Sequence, residues 1–118
     1  MSQHLIDKIR KSRETTIEAS GFGFTIRRPT DLEVSLMRGS TLKQGDLLEK
    51  FVTGWAGIKE LDIIPGGDGA EVPFSTALFM EWVADQPEVW DPLASAIISS
   101  YEAHQEKTAQ ALGKPEAG

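Results

Sequence analysis

The sequence contains no cysteine, one tyrosine and two histidines among its 118 residues. The absence of cysteine excludes disulfides, thiolate zinc sites, iron–sulfur clusters and cysteine nucleophiles. His4 and His104 are far apart in the chain, so the close spacing of a histidine zinc motif is also missing. We therefore predict a protein that binds no metal or cofactor, has no catalytic residues and is not an enzyme.

Long apolar runs are missing as well, the longest block being the four residues 77–80. A membrane-spanning helix needs about 18 consecutive apolar residues. The first residues also lack the apolar stretch of a secretory signal. These patterns predict a protein that does not enter a membrane and remains in the cytoplasm.

Positive charge is absent from a large part of the chain, whose net charge is −6. Residues 60–106 contain ten acidic residues and no Lys or Arg, whereas residues 1–30 carry six Lys or Arg against three acids. Because nucleic-acid binding needs clustered cations, we predict no nucleic-acid partner. The acidic half is most simply a solvated surface, and it is also suited to docking or solubilising a basic partner.

The N-terminal part of the chain alternates apolar and polar residues in the manner of strands. Residues 14–29 predict a β-hairpin, in which Phe22, Phe24 and Ile26 share one face. Residues 1–13 form a separate segment, in which Leu5, Ile6 and Ile9 are compatible with a short helix or a frayed end.

The rest of the chain has helical apolar spacing. Thr30 and Glu33 have the spacing of a capping box, and Ser75 is suited to cap a later helix. We predict helices over about 31–38, 46–56, 75–84 and 88–104, a surface loop over the Gly-rich residues 57–72, and a frayed polar tail over 105–118. The predicted fold class is α+β and predominantly helical, with one domain over 14–104 in which the hairpin packs on three to four helices.

Two acidic groups have the residue types of a chemical site. Asp62, Asp68 and Glu71 lie in the Gly-rich loop, but their spacing does not match an EF-hand, and a solvated loop explains them better. A second group, Asp85, Glu88 and Asp91, is spaced by three residues. Helix capping by Asp85 and Glu88 explains it more simply than paired catalytic carboxylates.

Large aromatic residues concentrate between residues 51 and 101, on apolar helical stripes. Most such residues fill a core, and stripes wider than a small core absorbs leave an interaction surface for a partner helix. The candidate partner-binding residues are Phe51, Trp55, Phe79, Trp82, Trp90 and Tyr101.

The same region resembles the tail assembly chaperones of long-tailed phages and prophages. The resemblance is carried by FVTGWAGI at 51–58, VPF at 72–74, FMEWVAD at 79–85 and WDPL at 90–93, continuing through Ile97 to Tyr101. An upstream hairpin that ends in IRRP at 26–29 and leads into a helix is also similar. Together these segments cover roughly residues 14–104.

This resemblance implies a small, mostly helical, non-enzymatic protein of the infected cell. Such a chaperone binds the tape measure protein while the tail tube forms, and it is absent from the mature virion. The resemblance also implies a longer frameshifted form of the same protein as a partner, and a homo-oligomer is compatible with it. The alternative from a different class is a structural tail-completion or connector subunit that self-assembles and stays in the virion.

Overall fold

The fold is known from a computed structural model, which describes residues 2–38 and 44–117. The elements in chain order are α1 (Ser2–Lys11), β1 (Glu14–Ala19), β2 (Phe22–Arg27), α2 (Asp31–Met37), α3 (Gln44–Phe51), β3 (Val52–Ala56), α4 (Glu60–Ile63), α5 (Thr76–Val83) and α6 (Pro87–Ala117). The protein is therefore α+β and mainly helical, as the sequence predicts.

The predicted hairpin forms over β1 and β2, which pair antiparallel from Glu14 opposite Arg27 to Ala19 opposite Phe22. Its two-residue turn has positive φ at both positions, 53° at Ser20 and 85° at Gly21. Positive φ at both central residues is typical of a type I′ turn, whose twist matches that of the paired strands. The turn thus fixes the register that places Phe24 and Ile26 on the buried face.

A third strand replaces the second half of a predicted helix. The helix predicted over 46–56 ends at Phe51, and residues Val52–Ala56 pair antiparallel with β2, giving the sheet order β1-β2-β3. Val52, Thr53 and Gly54 are weak helix formers, so continuing the helix is unfavourable. In the strand, Val52 is instead buried in the core and Gly54 lies against the side chain of Thr25. The apolar stripe from 47 to 55 therefore belongs to two different elements.

The core lies between the sheet and three helices, α3, α5 and α6. Phe24 and Ile26 contribute from the sheet, Phe51 from α3, Phe79 from α5 and Leu93 from α6. Among the described residues, no polar or charged residue is buried. The predicted packing of the strands on three to four helices matches this arrangement.

Two of the predicted helix starts are confirmed, and a third is different. The Thr30 hydroxyl accepts from the backbone N–H of Glu33 while the Glu33 carboxylate accepts from that of Thr30, which completes the capping box of α2. The Ser75 hydroxyl accepts from Leu78 N–H at the start of α5. The prediction that Asp85 caps the last helix is wrong, because α6 begins at Pro87, where a proline loses no helical hydrogen bond.

The last helix is much longer than predicted. The sequence predicts an end near His104 and a frayed tail, whereas α6 continues to Ala117. The tail lacks apolar residues for packing, but Ala, Gln, Glu and Lys sustain a helix by intrinsic preference. A 31-residue helix is about 46 Å long, which accounts for a radius of gyration of 16.9 Å against about 13 Å for an ordinary domain of this size.

The Gly-rich loop is more ordered than a simple surface loop. It contains α4 and a bridge between Lys59 and Glu71. Its acidic side chains serve the backbone, since Asp62 accepts from Lys59 N–H at 2.9 Å and Asp68 accepts from Ala70 N–H at 2.8 Å. These bonds favour a structural role for the loop acids over calcium binding.

Candidate protein-binding groove

Three of the six predicted partner-binding aromatics are in the core. The side chains of Phe51 and Phe79 are fully buried, and Trp82 is nearly so. Phe22 meets the Trp82 ring edge-on at 5.4 Å. Because the third strand and the helices cover their apolar stripes, these three side chains pack inside the protein and are not exposed to a partner in this structure.

The other three aromatics are half-buried, and each has a different neighbourhood. Trp55 packs edge-on against Phe74 at 5.2 Å, and its Nε1 donates to the Val72 carbonyl at 2.7 Å, which fastens the Gly-rich loop to β3. Trp90 packs against the core near Met80. Tyr101 lines a groove between α2 and α6, and it is the one residue of the six that lines this groove.

That groove is predominantly apolar and has a volume of about 490 Å³. Its apolar walls come from α2, α3, α6 and the segment that leads into α2. They are Pro29, Val34, Met37, Leu47, Ile97 and Ile98. Ile98 on α6, which lines the groove, is exposed by 46%. Leu32 and Leu36, exposed by 69% and 75%, lie on the opposite side of α2 from Val34 and do not line it. Concave apolar surface with exposed aliphatic side chains is the usual receptor for the apolar face of a helix. We refer to this surface as the α2–α6 groove.

One wall of the groove is fixed to the sheet by an ion pair. The Arg27 guanidinium on β2 donates two hydrogen bonds of 2.8 Å to the Glu33 carboxylate on α2, and it also lies 4.5 Å above the centre of the Phe51 ring. These bonds, with that from Thr30 N–H, lower the pKa of Glu33 to about 2. A bidentate pair is directional, so α2 is held in a defined orientation although it has no buried residue of its own.

The two walls are also joined to each other at one end of the groove. The Tyr101 hydroxyl on α6 donates to Asp31 Oδ1 on α2 at 2.9 Å, and His104 Nε2 lies 3.3 Å from the same oxygen. The bond from Tyr101, followed by that from His104, lowers the pKa of Asp31, and the bond to Asp31 raises the pKa of Tyr101. All three groups sit at the surface, so their main effect is to set the spacing of α2 and α6.

The helix α1 is a second unpartnered apolar surface. None of its residues is buried, and the exposed fractions of Leu5, Ile6 and Ile9 are 59%, 38% and 45%. It forms as an amphipathic helix, as one alternative for residues 1–13 predicts. Its basic residues continue into a polar pocket that Arg10 and Arg13 line together with Glu14, Arg27, Thr30, Glu33 and Thr53.

The described part of the chain offers no arrangement for metal chemistry or membrane crossing. Within residues 2–38 and 44–117, three His, Asp or Glu side chains do not come together as a metal-binding group. Over the same residues, each helix falls short of the length or apolar character that a bilayer crossing requires.

Comparison with protein-family models, with curated proteins and with solved structures finds no significant match to this chain.

Sequence reasoning missed most residues of the groove. Leu32, Leu36 and Met37 have helical spacing and were expected to pack inward, but only Met37 packs on the core. One property of this segment could have indicated a groove, namely the shortness of α2. A helix of seven residues cannot bury a broad apolar stripe and also form one wall of a groove. The contact between Asp31 and Tyr101 has no local signal, because it joins residues seventy positions apart.

Proposed function

We propose that this protein is a phage tail assembly chaperone that holds an amphipathic helix of the tape measure protein in the α2–α6 groove. The observation that carries the proposal is the apolar lining of this groove, in which the Ile98 side chain is 46% exposed. A concave apolar surface that stays open to water is typical of a site that binds the apolar face of a partner.

The charge of the chain supports the same function. A tape measure helix with an exposed apolar face aggregates unless its apolar surface is covered. The groove supplies that cover, and the acidic surface from residue 60 to 106 keeps the complex soluble. The resemblance to tail assembly chaperones over residues 14–104 supports this partner class. The chaperone acts in the cytoplasm of the bacterial host and leaves before the virion is complete.

The proposal is tested by co-expressing the chain with a tape measure protein from the same genome and purifying through a tag on the chain. The parent chain is expected to yield a soluble complex, and Ile98→Glu in the groove is expected to release the tape measure protein into the insoluble fraction. Leu61→Glu is the matched control, since Leu61 on α4 is similarly exposed at 51% and does not line the groove.

Purified virions provide the second measurement. The chaperone function predicts that mass spectrometry detects the chain in infected cells and not in the particles. Stoichiometric amounts in the particle would instead identify a structural tail-completion or connector subunit. A tape measure protein that stays soluble with the Ile98→Glu chain would show that the groove is not its binding site.

A further inference from the structure

The apolar stripe of α1 has a defined charge pattern on both sides. At 100° per residue, Leu5, Ile6 and Ile9 lie within one sector of the helix, with Lys8 on one flank and Arg10 on the other. The single acid of α1, Asp7, lies on the opposite face. The stripe therefore presents three aliphatic side chains between two cations.

The α2–α6 groove has the complementary pattern along α6. Glu102 lines the groove, and Glu106 follows one helical turn later on the same flank of α6. Asp31 lies where the groove continues toward Leu112. Arg38 on the α2 side is the one cation among the residues that line the groove.

Within one chain, α1 does not reach this groove. Only residues 12 and 13 separate α1 from β1, and the Arg13 carbonyl accepts from Arg28 N–H at 2.9 Å. The end of α1 is thereby held beside Thr30 and Glu33, where Arg10 and Arg13 line the polar pocket. Its apolar stripe remains exposed there.

We infer that α1 of one copy docks in the α2–α6 groove of a second copy, with Leu5, Ile6 and Ile9 on the apolar floor and Lys8 or Arg10 beside Glu102 and Glu106. The inference uses the same groove as the proposed function. In the absence of tape measure protein, self-association covers the α1 stripe and the α2–α6 groove, and a tape measure helix displaces α1 from the groove.

The test is a mixing experiment with two variants that each lose one half of the contact. Ile9→Glu removes the α1 stripe and Ile98→Glu removes the groove, and both residues are exposed in the monomer, so the fold is retained. Analytical ultracentrifugation is expected to show concentration-dependent self-association of the parent and of Leu61→Glu, and monomers for each variant alone. Mixing the two variants is expected to restore a one-to-one complex, because one supplies an intact groove and the other an intact α1.

Charge variants test the orientation. Glu102→Lys is expected to weaken self-association about two- to fivefold, and Arg38→Glu is expected to strengthen it by a similar factor. The effects are small because the charges that these residues place beside Lys8 and Arg10 of the second copy are solvent-exposed. Both effects are expected to shrink at high salt.

Three results would overturn the inference: a parent chain that is monomeric at every concentration, single variants that associate like the parent, or monomeric variants whose mixture stays monomeric. These assays contain no tape measure protein, so their failure leaves the proposed function intact. Conversely, Ile9→Glu is expected to keep tape measure binding, which separates the two uses of the groove.

Discussion

The hydroxyl of Tyr101 donates a 2.9 Å hydrogen bond to Asp31, joining the middle of α6 to the first residue of α2. This bond therefore connects the two walls of the groove directly, and His104 reinforces it from the next turn of α6.

The Tyr101 titration reports on this link without interference, because the chain has a single tyrosine. Hydrogen bonding to Asp31 raises the pKa of Tyr101, so its phenol is expected to ionise above its ordinary value of 10.0 in an ultraviolet absorbance titration. Asp31→Ala is expected to move the midpoint down toward that value. Asp85→Ala is the control and leaves the midpoint unchanged, because Asp85 precedes α6, whose first residue lies about 21 Å along the helix axis from Tyr101. Equal midpoints for the parent and Asp31→Ala would contradict the bond.

The pair Arg27–Glu33 gives the fold a defined acid dependence. The pKa of Glu33 is about 2 in the folded protein, whereas an unpaired glutamate has a pKa of 4.5. The pair therefore stabilises the fold above pH 4.5, and this contribution disappears as the pH falls toward 2. Since both side chains keep some exposure, we expect a loss on the order of 1–2 kcal/mol across that range. Urea unfolding at several pH values measures it.

Glu33→Gln is the variant that isolates this pair. It is expected to lower the free energy of unfolding at pH 7 and to flatten its dependence between pH 4.5 and 2. Glu49→Gln on the exposed side of α3 serves as control and keeps the parent profile. An unchanged profile for Glu33→Gln would mean that the pair contributes nothing to stability.

Two substitutions at Trp55 separate the contribution of ring packing to stability from that of the Nε1 hydrogen bond. Trp55→Phe keeps an aromatic ring beside Phe74 but loses the Nε1 donor to Val72, and we expect a loss of about 1 kcal/mol. Trp55→Ala also removes the ring, with an expected loss of about 3 kcal/mol. Thermal unfolding followed by circular dichroism distinguishes the two. Equal losses would show that the ring contributes little.

The backbone geometry of the hairpin turn predicts one substitution that lowers the stability of the protein and one that raises it. Gly21 has a φ of 85°, so Gly21→Ala is expected to cost about 1 kcal/mol by placing a Cβ in the left-handed region. Ser20 also has positive φ, where asparagine is better tolerated, and Ser20→Asn is expected to stabilise the protein by a few tenths of a kcal/mol. Chemical denaturation measures the free energy of unfolding of both variants and the parent. A Gly21→Ala protein as stable as the parent, together with a Ser20→Asn protein less stable than the parent, would contradict the turn type.

Elements with local chemical signals were predictable from the sequence. The Thr30 and Ser75 caps and the alternation of Phe22, Phe24 and Ile26 each depend on residues within a few positions of one another. The third strand was not predictable in this way. The apolar residues of this segment have helical spacing: Leu47, Leu48, Phe51, Val52 and Trp55. The last part of the segment forms a strand only because it pairs with β2.

The site was less accessible to sequence reasoning than the fold. Aromatic size indicated a binding surface at Phe51, Phe79 and Trp82, but size also favours burial, and burial prevailed in all three. The groove instead uses aliphatic residues and one tyrosine whose neighbours come from distant parts of the chain. Its position depends on the tertiary contacts of α2, which no local pattern encodes.

The order of the strands has a consequence for how the chain folds. The turn at residues 20 and 21 closes β1 on β2 with almost no loop, whereas β3 meets β2 only after 24 intervening residues, 28–51. Loop-closure entropy makes the second pairing the slower event, since it must also wait for α3 to bring β3 back to the sheet. The hairpin is thus the natural folding nucleus. The groove is among the last surfaces to form, because its α2 wall and Leu47 belong to the segment between β2 and β3.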